Sequence, residues 1–211
     1  MKKKLWSIIL LLLMLILSGC SAQNHAETTQ PSIAEPEILE TEQEVPEETT
    51  EMQQEGEITE MDRILAITDE SDFVIALSDY IAKKCQYGEN MSVLSEAEKV
   101  FYITQSLEME VNNGGFNQYF FNTAGNCCGE LVAAFEAIGA VKTAQICQRA
   151  MDAFGCEVPA DRFARQDLLE ELEGTEFDDI LDECDGAFYD YEEDLISLNY
   201  AYVMKHKDQF H

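Results

Sequence analysis

From about Met61 onward, apolar side chains return every three or four positions, the spacing that lines one face of an α-helix. Val74, Leu77, Ile81 and Cys85 form such a row and predict a helix opening at Ser71 and ending ahead of Gly88. Ser95-Glu96-Ala97-Glu98 has the spacing of a capping box, in which hydroxyl and carboxylate satisfy free N–H groups at a helix start. It opens a second helix with Val100, Phe101, Thr104, Leu107 and Val111 on one face. Asn112-Asn113-Gly114-Gly115 is expected to stop that helix, because paired glycines remove helical preference and Asn tolerates the left-handed region. A short aromatic segment, Phe116 to Asn122, follows, with a further break at Gly125. Helices are predicted over 129–138, 141–154, 161–172, 176–184 and 188–207, separated by Gly139, Gly155, Pro159, Gly174 and Gly186. No stretch sustains the period-two alternation of a strand with turns at hairpin spacing. The expected fold class is all-α, an irregular multi-helix single domain, since the helices differ in length and the central break is glycine-rich.

The residues ahead of this domain follow another pattern. Lys2-Lys3-Lys4, the apolar run Leu5 to Leu17 and then Ser18-Gly19-Cys20 have the layout of a secretory signal. Leu17-Ser18-Gly19-Cys20 resembles the lipobox of bacterial lipoproteins. That resemblance implies cleavage before Cys20, a diacylglyceryl thioether on its sulfur, and a protein anchored to the outer face of a membrane of the bacterial cell envelope. A plain membrane-spanning helix fits less well, since 13 residues fall short of the ~20 a bilayer needs. Residues 21–60 hold 12 glutamates, three prolines and no lysine or arginine, too little apolar surface to fold. As a flexible chain this stretch has a span of ~35 Å, lengthened by like-charge repulsion. The chain therefore divides into a signal peptide over 1–19, a lipidated cysteine and acidic tether over 20–60, and an acidic domain over 61–211.

Charge narrows the partners. The 211-residue chain has a formal net charge of −29. Removal of residues 1–19 takes three lysines and no acid, leaving 10 basic against 42 acidic residues and a net charge of −32. Direct nucleic-acid binding is excluded by that sign, and contact with anionic lipid is restricted to the anchor. Six cysteines remain beside Cys20: Cys85, Cys127, Cys128, Cys147, Cys156 and Cys184. Export permits disulfides, and six thiols allow 15 pairings. Cys85 and Cys147 continue apolar rows and are read as core residues. No CxxC spacing points to zinc.

Asn112-Asn113-Gly114-Gly115-Phe116-Asn117-Gln118-Tyr119-Phe120, with Ala137-Ile138-Gly139-Ala140, Asp161-Arg162, Arg165-Gln166, Phe188-Tyr189 and Glu193-Asp194-Leu195, resembles the bacterial DNA-mimic protein family over about residues 95–210. The resemblance implies a small, all-α, strongly acidic and often dimeric protein whose charge layout imitates DNA and occupies the DNA-binding face of another protein. In the family motif, Gly114 and Gly115 are read as letting two helices cross closely while Phe116, Tyr119 and Phe120 fill the core. Asn112, Asn113, Asn117 and Gln118 are the alternative, a polar pocket. A signal sequence departs from the family pattern, because a transcription factor is a cytoplasmic target. The expected partner is therefore a basic protein or peptide at the envelope.

The recognition surface is expected in the acid run from Asp167 to Asp194, 14 carboxylates in 28 residues, with no lysine or arginine between Arg165 and Lys205. As one helix it would extend ~42 Å and place a charge every ~3 Å, close to the ~3.4 Å phosphate spacing of a DNA strand. Leu168, Leu172, Phe177, Ile180, Leu181, Phe188 and Tyr191 are expected to face inward. The outward set is Asp178, Asp179, Asp182, Glu183, Asp185, Asp190, Glu192, Glu193 and Asp194. An alternative is a calcium-binding module, because Glu183, Asp185, Gly186, Phe188 and Glu192 fall on EF-hand loop spacing, although Leu181 occupies the first ligand position. No cofactor is otherwise implied beyond weak divalent-cation binding by the acids. Catalysis has little sequence support: His206 and His211 lie near the C-terminus, His25 in the tether, and no hydrolase or phosphate-loop motif occurs. The remaining enzymatic alternatives, a small envelope hydrolase, are a reactive thiol at Cys127-Cys128 and an unrecognised carboxylate pair.

Overall fold

The computed structural model describes residues 58–211. The signal peptide, Cys20 and the tether up to residue 57 lie outside the described residues. Eight α-helices form the domain: α1 (Glu60–Leu65), α2 (Glu70–Lys84), α3 (Glu96–Phe121), α4 (Cys128–Ile138), α5 (Val141–Asp152), α6 (Arg162–Leu172), α7 (Glu176–Tyr189) and α8 (Leu195–Lys205). Among the described residues there is no strand, as the all-α reading expects.

Most helix starts follow from a local acceptor. Ser95 and Glu98 form the expected capping box, with Glu98 N–H donating to Ser95 Oγ at 3.1 Å and Ser95 N–H to the Glu98 carboxylate at 2.9 Å. Glu98 is wholly buried and also meets Lys84 Nζ at 2.8 Å and the His211 N–H at 3.2 Å, fixing α2 and the C-terminal segment to the start of α3. Two boundaries move. Thr59 caps α1, so the domain takes in the last two residues assigned to the tether. Asp69, not Ser71, caps α2. A helix starts where an oxygen reaches the free N–H groups, and the apolar row alone does not locate that oxygen.

Two apolar clusters share α3. Its first half packs Phe101 and Tyr102 against Met61, Phe73, Leu77, Ile81, Val203 and Phe210. Its second half packs Phe116, Tyr119 and Phe120 against Leu131, Phe135, Cys147, Phe154, Phe177 and Phe188. Thr104 Oγ1 donates to Asn199 Oδ1 at 2.8 Å, a fully buried polar tie between α3 and α8 where the clusters meet.

The region after residue 172 departs from the expected pattern. α7 runs through Gly186 to Tyr189, and the break falls at Asp190–Asp194 instead. An interior glycine costs a helix only about 1 kcal/mol, which packing of Leu181, Cys184 and Phe188 outweighs. Asp194 then starts α8 by accepting from Ser197 N–H at 3.1 Å. The acid run is thus not one ~42 Å helix. It folds into α6, a turn at 173–175, α7 and the 190–194 segment. The EF-hand-like spacing is overturned for the same reason, since Glu183, Asp185, Gly186 and Phe188 lie on α7 and cannot wrap around a cation as a loop does.

Candidate functional site

The Asn-Asn-Gly-Gly motif interrupts α3, dividing it into two helical halves joined across a kink. Gly114 is extended at φ −167°, Gly115 takes φ +76°, and helical geometry resumes through Phe121. A side chain at Gly115 would meet both a strained φ and the carboxylate of Asp185, which a Cβ there would overlap. Asp185 reaches in from α7, and its Oδ1 accepts the Phe116 N–H at 2.7 Å. It thereby caps the second half of α3 from a different helix. Burial pushes the Asp185 carboxyl up from its usual range, the Phe116 N–H pulls it down, and nearby Asp182 adds to the rise. Tyr189 Oη donates to the Val111 carbonyl at 2.7 Å, so α7 ties both sides of the bend.

The motif's amides do not converge on one pocket. Asn112 Nδ2 donates to Tyr191 Oη at 2.6 Å, which donates to Glu108 Oε1 at 3.1 Å. Gln118 Nε2 instead donates to Glu110 Oε2 at 2.7 Å, an oxygen shared with Asn122 Nδ2 at 2.9 Å. Asn113 and Asn117 are exposed, while Phe116, Tyr119 and Phe120 are wholly buried. The motif positions helices. Tyr191, expected inward, is 43% exposed at the turn after α7, where its φ of +44° carries the chain back toward α8.

Arg165 holds the far end of α3 and was not anticipated as a functional side chain. Its side chain is wholly buried and has no carboxylate partner among the described residues. Its Nε donates to the Phe120 carbonyl, Nη1 to Pro159 O and Ala160 O at 2.8 and 3.0 Å, and Nη2 to Asn122 O and Asn126 Oδ1 at 2.9 and 3.0 Å. Phe120 and Asn122 lie at the C-terminal end of α3, where the helix presents partial negative charge. The guanidinium passes Gly125, where a Cβ would sit 2.7 Å from Nε. Spacing offered a signal: Arg165, Leu169 and Leu172 fall at i, i+4 and i+7, on the inward face. At the adjacent Cys127 and Cys128, burial pushes the Cys127 thiol up to about 11 and raises Cys128 despite nearby Arg165, which disfavours the nucleophilic thiolate. All six described cysteines are free thiols; Cys85 and Cys147 are in the core as expected, and Cys156 is exposed. His206 stacks on Tyr202 at the end of α8, with ring centroids 4.6 Å apart.

Six of the nine carboxylates assigned to the outer face have partners within the fold. Asp178 accepts the Gly174 N–H at 2.8 Å, and Glu183 pairs with Arg149. Asp185 faces the bend rather than solvent. Glu192 pairs with Lys142. Glu193 accepts the Lys142 and Thr143 N–H groups at 3.0 and 2.9 Å, capping α5. Asp194 caps α8. Asp179, Asp182 and Asp190 are exposed and have no hydrogen-bond or ion-pair partner among the described residues. The free carboxylates extend the other way: Asp167, Glu170, Glu171, Glu173 and Glu176 are likewise exposed and without partners there. With Asp179 and Asp182 they make seven exposed, unpartnered carboxylates along α6, the 173–175 turn and the first half of α7, the acid ridge of this chain segment. An open groove of about 440 Å³ lies across the molecule's other acidic segment, lined by Lys142, Arg149, Tyr191 and Glu192, but both of its cations are already paired.

The fold and its charge layout define an all-α acidic domain whose distinctive motif bends its central helix. The chain belongs to the DMP19-like protein family, the DNA-mimic family, whose model matches residues 92–206. No curated protein and no solved structure matches it. The match begins in the short 3₁₀ turn ahead of α3 and ends at His206, the C-cap of α8, so α1 and α2 lie before it.

Proposed function

We propose that this protein is a lipid-anchored acidic module of the bacterial cell envelope that binds a basic protein or peptide, through carboxylates that imitate a phosphate backbone. The observation carrying this reading is the ridge: seven exposed carboxylates from Asp167 to Asp182 without partners among the described residues, and no basic residue between Arg165 and Lys205. Such a surface attracts a cationic partner fast and in a salt-sensitive manner, because its charges stay solvated until contact. Membership of a DNA-mimic family supports the reading. So does the way Glu193 and Asp194, in the same acid run, are taken up by helix N–H groups while the ridge is left free. Binding, not catalysis, is the proposed role, with the dimeric habit of the family as its assembly.

The test is retention of basic proteins on the immobilised full chain, eluted by a salt gradient, beside a variant carrying Glu170→Gln, Asp179→Asn and Asp182→Asn. Partners that release at moderate salt and ignore the variant support the reading. If the variant retains the same proteins at the same salt, the ridge is an ordinary solvated surface. Anchoring is tested separately: Cys20→Ser should move the protein out of the membrane fraction.

A further inference from the structure

The ridge begins with an aromatic side chain that the fold does not use. Phe163 is 74% exposed and Phe121, at the end of α3, is 48% exposed. The two belong to one junction, where α6 grips the end of α3: Gln166 Nε2 donates to the Phe121 carbonyl at 2.8 Å, and Arg162 Nε reaches the same oxygen at 3.3 Å. Arg162 also donates to Thr123 Oγ1, so the cation next to Phe163 in the chain is turned onto the protein itself. On α6, Phe163, Asp167 and Glu170 fall at i, i+4 and i+7, the stripe opposite buried Arg165 and Leu169.

We infer that Phe163 is the apolar anchor of the binding surface, and that the partner is a basic protein surface carrying an apolar pocket among its cations. This deepens the function proposed above and rests on it. Charge complementarity identifies the occupant. An exposed phenyl ring heading a row of carboxylates matches a partner on which an apolar recess is ringed by lysine or arginine, and it repels anionic headgroups and nucleic acid. The two kinds of contact do different work. Carboxylates steer and are screened by salt, whereas burial of an aromatic ring at the centre of an interface slows dissociation and is not screened. A surface of carboxylates alone holds any polycation; an aromatic ring among them selects cations that also offer an apolar recess.

The experiment titrates the full chain, in neutral detergent micelles, with two oligolysine peptides of equal charge, one with phenylalanine at its centre and one with alanine there. Empty micelles serve as the reference. The phenylalanine peptide should bind about tenfold more tightly, the effect of burying one aromatic side chain. Phe163→Ser should abolish that preference and leave the alanine peptide's affinity within about twofold. Because Phe163 makes no core contact, the variant should keep the wild-type helical circular dichroism. Equal binding of both peptides, or a preference that survives in Phe163→Ser, overturns the anchor while leaving the acidic surface intact. Failure of both peptides to bind at low salt overturns the anchor and the proposed function together. Phe163-dependent binding to phosphatidylglycerol vesicles without peptide preference overturns it in favour of a lipid surface.

Discussion

Asp182 and Asp185 lie one helical turn apart on α7 and have opposite surroundings. Asp185 is turned to the bend in α3, where it accepts a main-chain N–H and blocks any side chain at Gly115. Asp182 faces solvent with no partner among the described residues. The same division separates two regions of the molecule. Around the bend and the 183–194 segment, every carboxylate but Asp190 caps a helix or pairs with Lys142 or Arg149. Along α6 and early α7 they face water and one another. Acidity in the first region is a structural device and in the second a surface property, so the residues that identify the family and the residues proposed to meet a partner are largely different sets.

The strongest way to break this division is to remove what holds the inner region. Arg165→Met should destabilise the domain by about 3 kcal/mol or more, because several buried carbonyls lose their donor at once. Arg165→Lys should recover only part, since an ammonium cannot present the same fork of donors. Urea unfolding at unchanged m-value measures this. A loss below about 1 kcal/mol would show that water replaces the guanidinium and that the inner region is looser than its hydrogen bonds imply.

The bend comes next. Gly115→Ala meets a φ of +76° and the Asp185 carboxylate, and should cost about 1–3 kcal/mol. In an Asp185→Ser background part of that cost should disappear, since the smaller side chain vacates the space. Strict additivity of the two substitutions would mean that they do not share the contact described.

Much of this was readable along the chain, and the exceptions have physical causes. The capping box at Ser95 and Glu98, the breaks at Gly139 and Gly174, and the buried aromatic trio Phe116, Tyr119 and Phe120 follow from local chemistry and spacing. Gly186 misled because helix breaking depends on the φ a position adopts, and at 186 packing keeps the chain helical. The diglycine interrupts the helix as expected; that helical geometry resumes at once was not legible, because the acceptor that restarts α3 comes from Asp185, 69 residues away. The outer acids could be counted but not sorted. Whether a carboxylate is free depends on which N–H groups the fold brings to it, as Glu193 shows by capping α5 from 50 residues away. Phe163 had no signal at all, since exposure is visible only once the opposite face of α6 is seen to bury Arg165.

Acid sharpens the comparison further, because the inner carboxylates titrate with opposite signs. Burial raises Asp185 and Glu108 above their usual range, so each binds a proton more readily folded than unfolded. Their contribution favours the fold below the unfolded carboxylate range and is lost as pH rises through the raised value. Glu193 and Asp194 are lowered; for Glu193 burial opposes but N–H groups of Lys142 and Thr143 prevail, and for Asp194 the Ser197 N–H leads. Their contribution is present at higher pH and lost as pH falls through the lowered values. Asp185→Asn should therefore remove part of the stability that the wild type gains on mild acidification, and Glu193→Gln should remove part of what it loses on stronger acidification. Thermal melts across the acid range measure both, and identical profiles for the two variants would erase the distinction between bend and cap.

The smallest effect on stability is expected where the proposed function is concentrated. Glu170→Gln, Asp179→Asn and Asp182→Asn remove no contact of the fold, so each should change unfolding free energy by no more than about 0.5 kcal/mol. The sign should be stabilising at low ionic strength, because removing one of several neighbouring like charges relieves repulsion, and the gain should shrink as salt screens the rest. The same three substitutions should flatten the salt dependence of binding to a basic partner. A surface kept acidic for solubility alone would show the first effect without the second. If instead the substitutions unfolded the domain, the ridge would be structural like the bend, and the division between the two regions would fail.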